Sequence, residues 1–518
     1  MTERQSAAMY WALSLFVIIL TTWARYWFVA TGQLNLAPDE AQYWDWSRTL
    51  QWSYYSKGPL IAVINFIGTA FLGATELGVR AGAMVGAALM QVAVLGWVGL
   101  GLGRIRTAFW TLVVLNTTLL FMAGGLLMTT DSPLLVFWIL GMVCLSVAVD
   151  KGSLAAFIFM GLFLALGITA KYTMALFIPL ALGAGFWIGR GQELPALFWK
   201  RLLRTLAIGG AAGMLPILVW NATNGWVGVK HVLYRGAMAG EKAKVFFELK
   251  KFPEYLGSQL GVVTPWWFVF LLIGAWLVGR QLLRRQAEPA FPWLPRSLAI
   301  ILTVFFWPVW LFFLFWSLHT KVEANWSATA YPAGIMLAAL AVERFVHRDP
   351  RPRWPFLWPT LGAVLFLLLH LQAFLPFDGP RNPVHRLRGW QDLGVQVDQA
   401  REELGGMESA FVFSSEYGVT AELSFYVPGQ KRAFCLAGDR KMNQYDFWPS
   451  PDPAAQNAVF VVKGEKSRIP QRVIDLFESV DEPKVVTTMQ GDRAGQTFTL
   501  FLCRGYKGEW PVQESSTF

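Results

Sequence analysis

Apolar stretches of bilayer-crossing length recur almost end to end through the first 375 residues, a pattern that no soluble core accommodates. They run over 9–30, 80–100, 107–128, 133–149, 153–170, 172–189, 205–221, 262–279, 297–317, 327–342 and 354–375, roughly eleven spans, with 11–13 as the expected range. Only 15% of the 518 residues are charged, against about 25% in soluble domains, so the chain reads as a polytopic α-helical membrane protein. The first run, Met9 to Ala30, is long enough to span and lacks a convincing cleavage site, so it reads as a retained anchor. The piece from Pro59 to Gly73 is too short to cross and reads as a re-entrant or interfacial helix.

Counting that piece as non-spanning sorts the charges. Arg4, Arg104, Arg106, Lys151, Arg190, Lys200, Arg201, Arg204, Arg280, Arg284, Arg285, Arg296, Arg344, Arg348, Arg351 and Arg353 then share one side, which the positive-inside rule makes cytoplasmic. Segments 31–79, 129–132, 171, 222–261, 318–326 and everything after 376 face the other way. The net charge of +10 is explained by these loops and by anionic lipid head groups. With no basic domain and no reading motif, nucleic acid is not an expected partner. The outer loop 222–261 cuts against the pattern with Lys230, Arg235, Lys242, Lys244, Lys250 and Lys251, and it reads as an anion-binding loop.

After residue 375 the composition changes and no further long apolar run appears. GWQDLGVQVDQAREEL has helical periodicity, and SAFVFSS, NAVFVVKG, KVVTTMQ and FTLFLCRG read as strands. The division is therefore a membrane domain, 1–375, and a small C-terminal α/β domain, 376–518. Cys144, Cys435 and Cys503 have no metal-binding spacing; a Cys435–Cys503 disulfide stays open if the tail is exported.

The polar residues of the outer segments are the candidates for chemistry. Asp39 and Glu40 follow Pro38, a good first-turn residue, so both carboxylates sit at a helix N-terminus. The dipole alone accounts for a few tenths of a kcal/mol each. It does not account for Tyr43, Trp44 and Trp46 gathered beside them at a membrane face. Asp131 lies at the boundary of two apolar spans, where a carboxylate is expensive and commonly functional, although helix entry at Ser132-Pro133 is a competing role. Lys57 precedes Gly58-Pro59 in the same loop as Asp39. Lys171-Tyr172 interrupts apolar sequence, with snorkelling of the lysine left open. His319, Lys321, Glu323 and Asn325 form a compact outer set. His231, Tyr234 and Arg235 form a second, in which arginine suits phosphate oxygens.

In combination, PDEAQYWDWS with SKGPL, ELGVR, LMTTDSPLL, GITAKYTMALF and KVEANW resemble the polyprenyl-phosphate-sugar glycosyltransferases of the GT-C superclass. Within it, the resemblance is to the bacterial protein O-mannosyltransferase-like branch, which includes lipid A aminoarabinose and galacturonic acid transferases. EYGVTAELSFYVPG and MNQYDFW resemble the C-terminal portion of that branch. The resemblance implies a GT-C-like fold and a lipid-linked sugar donor used on the periplasmic face of a bacterial inner membrane. It also implies Asp39 as the catalytic acid position, Asp131 as a second acidic position and Lys57 as a contact to donor phosphate. SKGPL departs from the family in having glycine where a double proline is commoner.

The chemistry is consistent: a carboxylate takes a proton from an acceptor hydroxyl attacking the anomeric carbon, and cations stabilise the departing lipid phosphate. An inverting displacement needs no cofactor, although the sequence leaves a divalent ion between Asp39 and Asp131 open. The expected acceptor is lipid A, core glycan or a protein hydroxyl. The competing reading is a transporter or flippase for lipid-linked sugars, but that class places its polar groups at the midplane, not at one face.

Overall fold

The computed structural model describes residues 2–236, 238, 247, 249–283, 289–346, 357–371, 383–438 and 440–513. Arg284, Arg285, Lys242, Lys244, Arg348, Arg351, Arg353 and the domain boundary at 375/376 lie outside them. The first part is helical: α1 (Glu3–Ala30), α2 (Pro38–Ser47), α3 (Leu60–Leu72), α4 (Glu76–Val94), α5 (Ile105–Asn116), α6 (Leu119–Gly124), α7 (Asp131–Lys151) and α8 (Leu154–Ala170). There follow α9 (Phe177–Gly189), α10 (Phe198–Thr223), α11 (Val227–Arg235), α12 (Lys251–Val263), α13 (Pro265–Leu283), α14 (Arg296–Trp316), α15 (Tyr331–Val346) and α16 (Leu357–Leu371).

Among the described residues, eight helices are long and apolar enough to cross a membrane, built on α1, α4, α7, α9, α10, α13, α14 and α15. The helices α3, α5 and α8 are apolar but shorter. The run expected over 107–128 is two helices. The backbone turns at Thr117, whose hydroxyl bonds the Val113 carbonyl at 2.6 Å and accepts the Trp267 indole N–H at 2.9 Å. Side-chain bonding to the preceding turn competes with helix continuation there. Packing relies on small residues. A Cβ on Gly209 of α10 would lie 2.5 Å from the Gly161 carbonyl oxygen of α8, so only glycine permits that approach.

The two ends of the bundle differ. At one, Arg106 bonds Ser6 (2.9 Å), Thr107 bonds Glu343, Ser297 bonds Asp150 (3.0 Å) and Arg201 bonds the Gly152 carbonyl (2.7 Å). The start of α1, the starts of α5, α10 and α14, and the ends of α7 and α15 therefore meet. The opposite end carries α2, the start of α7, the end of α8 and the 317–327 turn.

The C-terminal part contains α17 (Trp390–Glu402), β1 (Ala410–Ser414), α18 (Tyr417–Tyr426), β2 (Phe434–Cys435), β3 (Asn457–Lys463), α19 (Gln471–Ile474), β4 (Phe477–Val480), β5 (Lys484–Gln490) and β6 (Arg493–Tyr506). The strands form one mixed sheet in the order β2-β1-β3-β6-β4, with β5 also paired to β6. β1 runs parallel to β2 and β3, while β6 is antiparallel to its neighbours. Cys435 on β2 and Cys503 on β6 are free thiols. Three strand spacings separate them, about 14 Å, well beyond disulfide reach.

Candidate active site

α2 is held by a clamp around Glu40. The third residue of the helix, it is fully buried and reaches back to the Ala37 backbone N–H at 2.9 Å. Arg80 of α4 donates to both its oxygens, at 3.1 and 2.8 Å, and the Met128 backbone N–H adds a fourth bond at 2.8 Å. Arg80 also donates to the carbonyls of Leu34 and Asn35, each at 2.8 Å. Both Glu40 oxygens are thus engaged in fixing the loop. Asp39, one residue earlier, is exposed in the first turn of the same helix.

Asp131 opens α7, three residues beyond Met128. Its Oδ1 accepts from Lys171 Nζ at 2.7 Å and its Oδ2 from Asn325 Nδ2 at 2.7 Å. One carboxylate therefore joins the start of α7, the end of α8 and the turn before α15. Lys171 is paired and does not merely snorkel. Tyr172, next in sequence, lies beside Ser53 of the first outer loop.

Lys57 enters this group through a tight corner. A Cβ on Gly58 would sit 2.2 Å from the Thr169 carbonyl oxygen at the end of α8, so neither proline nor alanine fits without displacement. The glycine of SKGPL therefore has a local cause. Burial, then the Lys171 charge, push the Lys57 ammonium down to about 8, against the pull of Asp131 and Asp39. Tyr43, inside α2, has its phenol raised by burial and then by Asp39, Tyr417 and Asp131. Asp39, Asp131, Lys57 and Lys171 therefore occupy one electrostatic neighbourhood.

His231 and Arg235, on α11, flank that neighbourhood. The His231 ring packs on Tyr55 with centroids 4.8 Å apart. Burial first, then the charges of Lys57, Arg235 and Lys441, hold its imidazole down to about 4, so it is neutral near pH 7. Arg235 pairs with Glu323 at 3.7 Å. Lys321 lies 3.9 Å from both Glu323 and Glu254, and all of these are partly exposed, so the set is a rim. His319 packs edge-on against Trp316 (5.2 Å) at the end of α14. Of the outer set 319–325, Asn325 is the member that bonds an acidic site residue.

The C-terminal part covers the first outer loop along its length. The Tyr426 hydroxyl accepts from the Leu36 N–H at 2.7 Å, Arg432 pairs with buried Asp45 at 3.3 Å, and Gln444 accepts from the Tyr55 N–H at 2.7 Å. Lys441 lies 5.6 Å over the Tyr234 ring. Tyr417 donates to Asp39 Oδ1 at 3.2 Å. The sequence had given no site role to Arg80, Tyr417 or Lys441. A lone arginine in an apolar helix was the available signal for Arg80. None existed for Tyr417, 378 residues from its partner.

Residues 56–220, which hold Lys57, Asp131 and Lys171, match the family described as dolichyl-phosphate-mannose-protein mannosyltransferase. The whole chain superposes on the crystal structure of ArnT from Cupriavidus metallidurans in the apo state with a TM-score of 0.59, at 14% identity, covering 95% of this chain and 98% of that one. The likeness gives this chain an ArnT-like fold. ArnT from the same organism bound to undecaprenyl phosphate superposes equally well on this chain, with a TM-score of 0.58 at 15% identity and coverage of 96% and 98%. Lipid A galacturonosyltransferase RgtD of Rhizobium johnstonii is 25% identical over 356 residues, 65% of this chain and 66% of its own length. The match thus spans just under two thirds of that curated relative.

Proposed function

We propose that this protein is a GT-C glycosyltransferase that transfers a monosaccharide from a polyprenyl-phosphate donor to a hydroxyl of lipid A, with inversion, on the periplasmic face of the inner membrane. The observation that carries the reading is the meeting of Asp39, Asp131, Lys57 and Lys171 at one end of the bundle. A relative named for lipid A galacturonosyl transfer and a similar fold holding undecaprenyl phosphate support the donor and acceptor classes. The orientation is supported by the opposite end of the bundle, where Arg104, Arg106, Arg201, Arg296 and Arg344 lie at helix termini.

In this reading Asp39 is the base: exposed, at a helix N-terminus, with Glu40 holding it in place. The acceptor oxygen attacks the anomeric carbon as its proton passes to Asp39, and the bond from that carbon to the phosphate oxygen breaks with its electrons leaving on the lipid phosphate. Lys57, mostly protonated at pH 7, and Arg235 receive that charge, with neutral His231 as a hydrogen-bonding neighbour. Asp131 has both oxygens engaged, so its part is to hold Lys171 and Asn325 in place. Apolar faces between the spans accommodate the prenyl chain. Purified protein given a synthetic polyprenyl-phosphate sugar and lipid A should release polyprenyl phosphate with glycosylated lipid A, and Asp39→Asn should stop both. Donor carried across vesicles uncleaved would instead establish a transporter, and undiminished turnover by Asp39→Asn would remove Asp39 from the chemistry.

A further inference from the structure

The C-terminal part touches the reacting group itself. α2 and α18 lie side by side with their N-termini together. Gly418 meets Pro38 at one end, and Phe425 packs edge-on against Trp44 (4.8 Å) farther along, so the helices run parallel. Tyr417 is the first residue of α18 and Asp39 the second of α2, which places the phenol and the carboxylate at the paired ends. The approach is close because of the glycine: a Cβ at position 418 would lie 3.0 Å from Pro38 Cβ.

We propose that Tyr417 is a positioning residue for the Asp39 carboxylate, supplied to the transfer site by the C-terminal domain; this rests on Asp39 being the base. Its hydroxyl donates to Oδ1 at 3.2 Å, long for an O–H···O bond, as befits a contact that tightens once substrate is bound. Burial and then Asp39 raise the phenol above its ordinary range, so it remains a donor throughout the working pH range and does not compete for the acceptor's proton. α18 is held firmly enough to fix it. Ser424 accepts from the Ala433 N–H at 2.9 Å, and Tyr426 bonds both Leu36 and Glu76. A group delivered by a helix tied at several points meets the requirement for fixed geometry around a reacting side chain. A donor on one oxygen holds the carboxylate in one rotamer.

Tyr417→Phe in the full chain removes the donor and keeps the ring. The expected result is a kcat reduced about tenfold to a hundredfold, the worth of one hydrogen bond to a charged group, with donor KM unchanged. A purely structural role would lower the melting temperature and leave kcat per folded molecule at the wild-type value. A wild-type kcat in folded Tyr417→Phe, or a loss that falls on donor KM instead, therefore overturns the proposal. Should Tyr417→Phe fail to fold, Gly418→Ala keeps the phenol but pushes the helix ends apart. It should lower kcat with donor KM unchanged, and a wild-type kcat there overturns the proposal equally. Asp39→Asn run alongside separates the levels. If it stays active, the assignment of Asp39 as the base fails. If it is inactive while Tyr417→Phe behaves as wild type, only the role of Tyr417 fails.

Discussion

Replacing Glu40 by glutamine is expected to cost about 3–5 kcal/mol of stability, because it leaves Arg80 as an uncompensated charge in a site closed to water. The magnitude follows from the contacts: Glu40 is fully buried and accepts two guanidinium and two backbone hydrogen bonds. The amide keeps one acceptor oxygen but turns a donor toward Arg80. The chain consequence is as large as the energetic one. Glu40 follows Asp39 directly and holds Met128, three residues before Asp131, so loosening it shifts both aspartates. A displacement of about 1 Å at a reacting group costs on the order of a hundredfold in rate. Turnover per folded molecule should therefore fall although Glu40 touches no substrate. The discriminating measurement is a double-mutant cycle with Arg80→Met, read by unfolding in mixed micelles. Removing both charges should cost at least about 2 kcal/mol less than the two single changes added together. Additive costs would refute the clamp.

Two further outcomes are expected. Gly58→Ala should raise KM for the polyprenyl-phosphate donor at least about tenfold, since the new methyl would meet the Thr169 carbonyl oxygen at 2.2 Å and displace Lys57 from its phosphate partner; donor titration at fixed acceptor checks it, and wild-type KM would refute it. Glu422 of α18 is fully buried, and its carboxyl is raised well above the usual range by burial and by Glu40, Glu76 and Asp39, against Arg80. With a folded value above the unfolded one of about 4.3, its contribution is complete below that pH and is lost as pH rises toward the folded value. Glu422→Gln should therefore gain stability relative to wild type as pH rises above about 4.3, where the unfolded chain begins to ionise while the folded carboxyl stays protonated. Parallel melting curves across that range would contradict this.

The membrane architecture was legible because continuous apolar runs allow few other folds, and the strands at 410, 457 and 484 because their β-branched and aromatic runs are short and bounded. Thr117 was not, since a threonine inside an apolar run carries no sign that its hydroxyl will end the helix. Asp39, Asp131, Lys57 and Lys171 stood out as charges where charge is costly. Their partnerships did not: Asp131 meets groups 40 and 194 residues away, and only the folded bundle sets those pairs. Which of Asp39 and Glu40 faces inward was not legible, because adjacent residues on a helix point about 100° apart and sequence does not fix the helix's rotation. The tail was read as a separate domain from its composition, which is silent about a helix laid against α2.

That last contact imposes an order on synthesis. Asp39, Leu36 and Tyr55 leave the ribosome early, yet their partners Tyr417, Tyr426 and Gln444 follow 378 to 390 residues later. At the usual pace of translation that is a wait of about 20–80 s. During it the nascent membrane part stands without its cover, and these contacts form only once the last quarter of the polypeptide has been made and docked.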